Sequence, residues 1–395
     1  MSDLPLNGIR VIDLSTAYSA PIGTMQLADF GAEVIKVENT SIGDPSRTWS
    51  PLHNGQSIQF LNMNRNKKSV TLNLKSEQGR ALLYQLVQTA DVVVENFRPG
   101  VAKRLGCDYE TLRGIKPDII MASLSGFGQT GPKAGNAAYS NIAEAASGLM
   151  HVTGYPGGKP TASGVAFGDS VAGMFLAQGI LYALVHHLRT GEGQYIDVAM
   201  TDSLFHLIMQ GVIQKSLLGE EPERIGCRDL SAYPYDIFSA KDGYCILGTS
   251  TVNDWTPFAQ AIGRPELVDD PRFDTNEHRV LNADLLSPYI EEWARRYTRA
   301  EIQRIFEEKK LAFAPVLTVG EAMEDPQTRH REMVVDMEYQ GMGRYQMQGI
   351  PVKLSKTPGR IRMGCPHRGE HNGEIYGGLG LSGEELSALR QQGVI

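Results

Sequence analysis

Through the first half of the chain, short runs rich in Val, Ile and Leu alternate with stretches whose apolar residues recur every three or four positions. Ile9–Ser15, Glu33–Glu38, Ser69–Leu74, Asp91–Phe97 and Asp118–Leu124 are short, β-branched and flanked by Gly, Pro or Asn, which predicts buried parallel strands. Between the third and fourth, Ser76 is a candidate cap for a helix that places Leu82, Leu83, Leu86, Val87 and Ala90 on one face. Strands alternating with helices in this way predict an open α/β sheet. A longer apolar run, Ser170–Val185, predicts a helix from Asp169 to about Arg189, closed by Thr190-Gly191-Glu192-Gly193 before a strand at Gln194–Met200. That run is shorter than a membrane span and is interrupted by Gly173, Gln178 and Gly179, so it reads as a core helix. His186 and His187 fall at its end, where they are expected to satisfy the last carbonyls. One further apolar helix is predicted over Asp202–Leu218.

The pattern changes after Leu218. Gly219-Glu220-Glu221-Pro222-Glu223-Arg224 is polar and reads as a linker. Beyond it lies a block with its own strands, Tyr235–Ser239 and Tyr244–Gly248, and a helix opened by the capping box Thr298-Arg299-Ala300-Glu301. A second linker follows Met323-Glu324-Asp325-Pro326. The last helix starts at another capping box, Ser382-Gly383-Glu384-Glu385, and is too short to stand alone, so it must dock on something larger. The expected organisation is a large domain over 1–219 and 330–395, with a smaller α+β domain over 220–329 inserted into it.

Composition narrows the function. A formal net charge of −7 with no cluster of Lys and Arg argues against nucleic-acid binding and against an anionic membrane surface. Four scattered cysteines, Cys107, Cys227, Cys245 and Cys365, suggest neither a disulfide framework nor a metal site, and a reducing cytoplasm fits best. The opening Met1-Ser2-Asp3-Leu4-Pro5 lacks the charged and apolar regions of a signal peptide.

The candidate chemistry centres on Gly168-Asp169-Ser170-Val171-Ala172-Gly173, which puts a carboxylate at the mouth of the apolar helix. Free backbone N–H groups and the helix dipole would hold such an acid ionised, hence potentially nucleophilic. The plainer reading makes Asp169 an N-cap. The turn after the first strand, Thr16-Ala17-Tyr18-Ser19-Ala20-Pro21, carries no GxGxxG, so a nicotinamide-dependent oxidoreductase is unsupported. Gly126-Phe127-Gly128-Gln129-Thr130-Gly131-Pro132 lacks the ending of a P-loop and is either a plain loop or one that touches substrate. Lys75, Arg98 and Arg104 follow predicted strands, and the basic residues of Asn64-Arg65-Asn66-Lys67-Lys68 precede the one that starts at Ser69. A ligand crevice in an open sheet lies outside the carboxyl ends of the strands, where Lys75, Arg98 and Arg104 would meet a phosphate-bearing ligand together.

Together these segments resemble the class III CoA-transferases, the family that includes formyl-CoA transferase and L-carnitine CoA-transferase. The resemblance rests on Leu6–Asp13, Asp29–Glu38, Asn64–Ser69, Val94–Gly100, Ser125–Pro132, Gly168–Gly173 and Thr190–Met200, with weaker matches at Asp270–Phe273 and Ala314–Val316. It implies a Rossmann-like large domain linked to a small domain, in a homodimer of interlocked rings. It implies that CoA passes from an acyl-CoA to a small carboxylic acid through an aspartyl anhydride and an aspartyl-CoA thioester, with Asp169 as nucleophile and no tightly bound cofactor. Residues matching the family's CoA contacts are Tyr18, Ser19, Asn39, Leu72, Lys75, Asn96, Phe97, Arg98, Arg104, Ala137 and Tyr139. Tyr18 replaces a glutamine and Ala137 a lysine found in relatives acting on oxalate, and Gly243–Trp255 lacks the glycine-rich flap of formyl-CoA transferase. Those departures point toward an acid larger or less polar than oxalate or formate. The related α-methylacyl-CoA racemases need a proton-transfer histidine where this chain reads Asn136-Ala137-Ala138-Tyr139, which favours transfer. A non-catalytic acyl-CoA-binding partner subunit is the remaining alternative, and an intact Asp169 speaks against it.

Overall fold

The computed structural model describes residues 4–249, 251–339 and 343–395. Met1–Asp3 of the expected non-signal N-terminus, and Ser250 within Gly243–Trp255, lie outside the described residues. Two compact units emerge. One comprises Met1–Leu149, Ala162–Val212 and Gln327–Ile395, the other Met150–Thr161 and Ile213–Pro326.

The first unit is built on six parallel strands, β1 (Arg10–Asp13), β2 (Glu33–Glu38), β3 (Lys67–Thr71), β4 (Val92–Glu95), β5 (Ile120–Ser125) and β6 (Tyr195–Ala199). Their spatial order is β3-β2-β1-β4-β5-β6. This is the doubly wound order, in which the direction of winding reverses between β1 and β4 and leaves a crevice at their carboxyl ends. Strand residues alternate between the two faces. Val11, Val34, Val92, Val94, Ile120 and Ala122 pack with helices α1 (Ser19–Asp29) and α4 (Phe167–Thr190). Ile12, Ile35, Val93 and Met121 pack on the other face with α2 (Glu77–Gln88). Both faces are apolar because helices cover both, which is why the strands read as continuous hydrophobic runs. Ser76 caps α2 through the Gly79 N–H, as its position in the sequence suggested. Leu386 of the last helix, α8 (Gly383–Gln391), joins Val394 and Ile395 in the α2 core.

Three sequence expectations are corrected. The predicted strand Ser69–Leu74 begins two residues earlier, because Lys67 and Lys68 pair with β2 despite their charge. The helix foreseen at Asp202–Leu218 is two, α5 (Met200–Leu207) and α6 (Met209–Leu218), interrupted at Ile208. His186 and His187 do not cap α4. Their Nε2 atoms lie 3.5 Å from Glu192 and 4.0 Å from Asp118, while the N–H of left-handed Gly191 donates to the His187 carbonyl at 2.7 Å.

The second unit carries a three-stranded antiparallel sheet, β7 (Tyr235–Ala240), β8 (Gly243–Gly248) and β9 (Ala312–Pro315), with β8 central. Helix α7 (Arg299–Glu308) opens with the Thr298–Glu301 capping box and places Ile302 and Phe306 in that unit's own core.

Candidate active site

At the reversal point between β1 and β4, a cavity of about 190 Å³ opens. Its lining comes from the carboxyl ends of four strands and the segments that follow them: Thr16, Ala17 and Ser19 after β1, Asn96–Pro99 after β4, Leu124, Ser125 and Gly126 at β5, and Met200 after β6. Asn136–Tyr139 and Asp169 complete it. That volume is below the roughly 300–1,000 Å³ of a site for a whole drug-sized ligand. It suits the reacting end of a longer molecule.

Asp169 is the third residue of α4, not its cap. The cap position is Ala166, which makes no side-chain hydrogen bond. In the first turn a carboxylate still meets the positive end of the helix dipole. Burial nevertheless dominates and pushes its pKa up to about 6, with the Ser19 side chain opposing the shift. The acid is therefore ionised at neutral pH but held less firmly so than its helical position alone predicted. An acid left partly desolvated and more basic is a better nucleophile than one locked in an ion pair.

Two glycines bring Ser19 to Asp169. A Cβ on Gly23 would fall 2.7 Å from the Gly173 carbonyl, and one on Gly173 would fall 2.5 Å from the Ser19 carbonyl, so α1 and α4 cross almost backbone to backbone. Gly126 has a comparable role, since a Cβ there would lie 2.2 Å from the Ala138 side chain. Of the glycine-rich loop, Ser125 and Gly126 line the Asp169 cavity, whereas Phe127, Thr130 and Pro132 line a separate hollow.

The turn before α1 is fixed from beneath. Asn96 clamps Thr16 in both directions, accepting its N–H at 2.8 Å and donating to its carbonyl at 2.7 Å. Ala17 is held at φ +67, with its N–H donated to Asp44 at 3.2 Å. Asp44 pairs with buried Lys36 at 2.7 Å, and Lys36 also donates to the Ser15 carbonyl at 2.9 Å. Asp13 meets Lys67 at 3.0 Å and Thr24 at 2.7 Å. Burial alone would raise the Asp13 carboxyl, but Lys67 and Lys36 outweigh it and hold the pKa down to about 2.

The eleven residues expected at CoA therefore separate. Ser19, Asn96, Phe97, Arg98, Ala137 and Tyr139 share the cavity with Asp169. Tyr18 lines a neighbouring cavity of about 640 Å³. Lys75 and Arg104 are exposed after β3 and β4, with no side-chain ion pair among the described residues, but they do not line the Asp169 cavity. Asn39 is exposed, its side-chain amide oxygen accepting from Ser41 and Ile42. Leu72 is a correction: it is 2% exposed and packs in the α2 core, so its side chain is not offered to a ligand. Arg65 and Lys67 are likewise buried, Arg65 paired with Asp29 at 2.7 Å and Lys67 with Asp13, instead of lining the crevice. The cavity residues that sequence reasoning missed include Thr16, Ala17, Pro99, Ser125, Asn136 and Met200. Position at a strand's carboxyl end was the available signal for Thr16, Ser125 and Met200.

Residues 6–372 match the model of CoA-transferase family III. The chain belongs to that family. It is 36% identical over 394 residues to succinyl-CoA–D-citramalate CoA-transferase of Chloroflexus aurantiacus, covering 99% of this chain and 98% of that one. It is 40% identical over 352 residues to acetyl-CoA:oxalate CoA-transferase of Acetobacter aceti, covering 89% of each. The fold matches the crystal structure of a CaiB/BaiF family protein from Brucella suis with a TM-score of 0.86 and 33% identity, over 96% of this chain and all of that one. The chain is thus an enzyme of the CoA-transferase class, which uses CoA thioesters as substrates.

Proposed function

We propose that the protein moves CoA from an acyl-CoA donor to a short dicarboxylic acid, with Asp169 as the covalent carrier. One observation carries this reading: a desolvated carboxylate, its pKa raised to about 6, stands without an ion pair among the described residues in the cavity where six expected CoA-contact residues meet. A carboxylate oxygen attacks the thioester carbonyl, the C–S bond breaks, and a mixed anhydride and CoA thiolate result. The thiolate then attacks the Asp169 carbonyl and expels the donor's acyl group as a free acid, leaving an aspartyl-CoA thioester. The acceptor carboxylate repeats the sequence in reverse and regenerates Asp169. Each intermediate is an activated acyl group, so the thioester's free energy is conserved provided water is kept out.

The acceptor class is supported by the names of the relatives, which act on D-citramalate and oxalate. Ala137, which lines the Asp169 cavity in place of a lysine found in relatives acting on oxalate, leaves room there for a larger or less polar acid. No histidine lines the Asp169 cavity among the described residues, which supports transfer over racemisation. The cavity belongs wholly to the first unit, the one expected to bind CoA, although Met150–Thr161 and the chain from Ile213 group with the second unit and not with the large domain expected over 1–219 and 330–395. A homodimer is supported by the apolar stripe of α4 left exposed in the single chain, with Met174, Tyr182, Val185 and Leu188 each at least 47% accessible, and interlocked rings are what the family resemblance implies for it. No tightly bound cofactor is required by this chemistry. The free state of all four cysteines suits a reducing cytoplasm.

The test pairs succinyl-CoA and acetyl-CoA with citramalate, oxalate and monocarboxylic acids, with CoA products read by mass. Trapping with hydroxylamine during turnover should mark Asp169 and no other acid. Turnover without any mark at Asp169 would overturn the covalent route.

A further inference from the structure

Helix α4 begins without a cap of its own, yet its first turn is anchored. The Gly168 N–H donates at 2.9 Å to the hydroxyl of Ser140, the first residue of α3 (Ser140–Ala146), 28 positions upstream. The cap is thus supplied from another helix. Ser140 is 7% exposed and donates in turn to Glu144 at 3.3 Å. Glu144, one helical turn further along α3, is 1% exposed. Its other oxygen accepts the Ser163 N–H at 3.0 Å, in the segment that leads into α4. One buried carboxylate therefore holds together the start of α3, the lead-in to α4 and, through Ser140, the residue before Asp169. The approach is tight at Gly168, where a Cβ would lie 3.1 Å from the Ser140 carbonyl and 3.2 Å from its Cα, so a side chain there would push Ser140 back by a few tenths of an ångström. Tyr139, next to Ser140, lines the Asp169 cavity. The same turn of α3 thus contributes cavity wall and anchors the nucleophile's helix.

We infer that Ser140 and Glu144 are positioning residues for Asp169: they fix the first turn of α4 so that the carboxylate stands at attack distance and angle before substrate arrives. Neither touches the reacting atoms. Their contribution is preorganisation, which near-attack geometry makes sensitive to displacements of an ångström or less. The inference rests on Asp169 being the nucleophile.

Ser140→Ala leaves the Gly168 N–H without its buried acceptor and Glu144 without one of its donors. It should lower kcat on the order of 10- to 100-fold while KM for acyl-CoA stays within about twofold. As the first turn loosens, its N–H groups stabilise the carboxylate less, and the acid limb of the pH profile should move to higher pH. Glu144→Ala should behave alike, and Glu144→Gln, which keeps a carbonyl oxygen for Ser163, should recover most of the lost rate. Thermal melts and CoA binding serve as fold controls, and Ser140→Ala suffices where Glu144→Ala does not fold. The inference is overturned if Ser140→Ala keeps kcat within twofold of the parent, if CoA binding falls in step with kcat, or if Glu144→Gln is no better than Glu144→Ala. Asp169→Ala measured alongside separates the two readings. Turnover in that variant removes the nucleophile assignment itself, whereas an inactive Asp169→Ala beside a fully active Ser140→Ala removes only the positioning role.

Discussion

Asp13 and Asp169 are aspartates withdrawn from water at the carboxyl end of one sheet, and their acidities are shifted in opposite directions. Asp13 closes β1, is fully buried and has Lys67, Lys36, Ser15 and Thr24 around it, so its pKa falls to about 2. Asp169 is less buried, faces a cavity and has the Ser19 side chain as its counterweight, so its pKa rises to about 6. Burial penalises the charged form of both. Counter-charges decide the outcome. A carboxylate surrounded by lysines is a structural element with its lone pairs committed, and one left short of partners retains the basicity that bond formation needs. The two are mechanically joined, since the Asp13 network supports the turn that presents Ser19.

The comparison breaks most decisively on activity. Asp169→Ala should lose at least about 1,000-fold in turnover while the protein remains folded, the size of effect seen when a covalent nucleophile is removed. In the parent enzyme kcat/KM should fall about tenfold per unit as pH drops below about 6, because protonation removes the attacking lone pair. Acetyl-CoA is the donor for that measurement, since its acyl group carries no second carboxyl to titrate. A profile flat down to pH 5 would show that Asp169 is not the titrating nucleophile.

Asp13→Asn should act on stability instead. It leaves Lys67 buried beside a neutral amide, and removing one partner of such a pair costs about 3 to 5 kcal/mol. The double variant Asp13→Asn with Lys67→Met should regain part of that loss, because the stranded charge is gone. If the single and double variants melt alike, the pair contributes little, and the contrast with Asp169 loses its basis.

This contrast was only half legible in the sequence. Strand and helix periodicity is local, and it located all six strands of the main sheet to within a few residues, along with the Ser76, Thr298 and Ser382 caps. The position of Asp169 at a helix mouth was visible for the same reason. What decides its chemistry is not local: Ser19 approaches across the Gly23–Gly173 crossing, and Ser140 reaches Gly168 from another helix. The basic segment Asn64–Lys68 shows the converse error. Its charges suggested a ligand-facing edge, but Arg65 and Lys67 turn inward to Asp29 and Asp13, partners 36 and 54 residues away. No spacing rule announces such pairs, and the sequence pattern of a buried cation is the same as that of a solvated one.

The smallest expected effect has the sign opposite to that of Asp13. The folded state raises the Asp169 pKa from 3.8 to about 6, so it binds a proton more tightly than the unfolded chain does. By linkage, the cost to stability is absent below the unfolded value, grows as pH rises between the two, and is complete above about 6. Asp169→Asn removes the titrating charge while keeping the size of the side chain. The variant should therefore be more stable than the parent at pH 8, by roughly 1 to 3 kcal/mol on the scale of such shifts, and the advantage should shrink toward pH 4. Melting both proteins across that range checks it. A gain that does not depend on pH would trace to packing and not to ionisation, while a loss at pH 8 would mean that the carboxylate is stabilised in the fold as Asp13 is. The expected gain follows from the same desolvation that makes the acid reactive: the protein is less stable at neutral pH for keeping a nucleophile where its charge is poorly solvated.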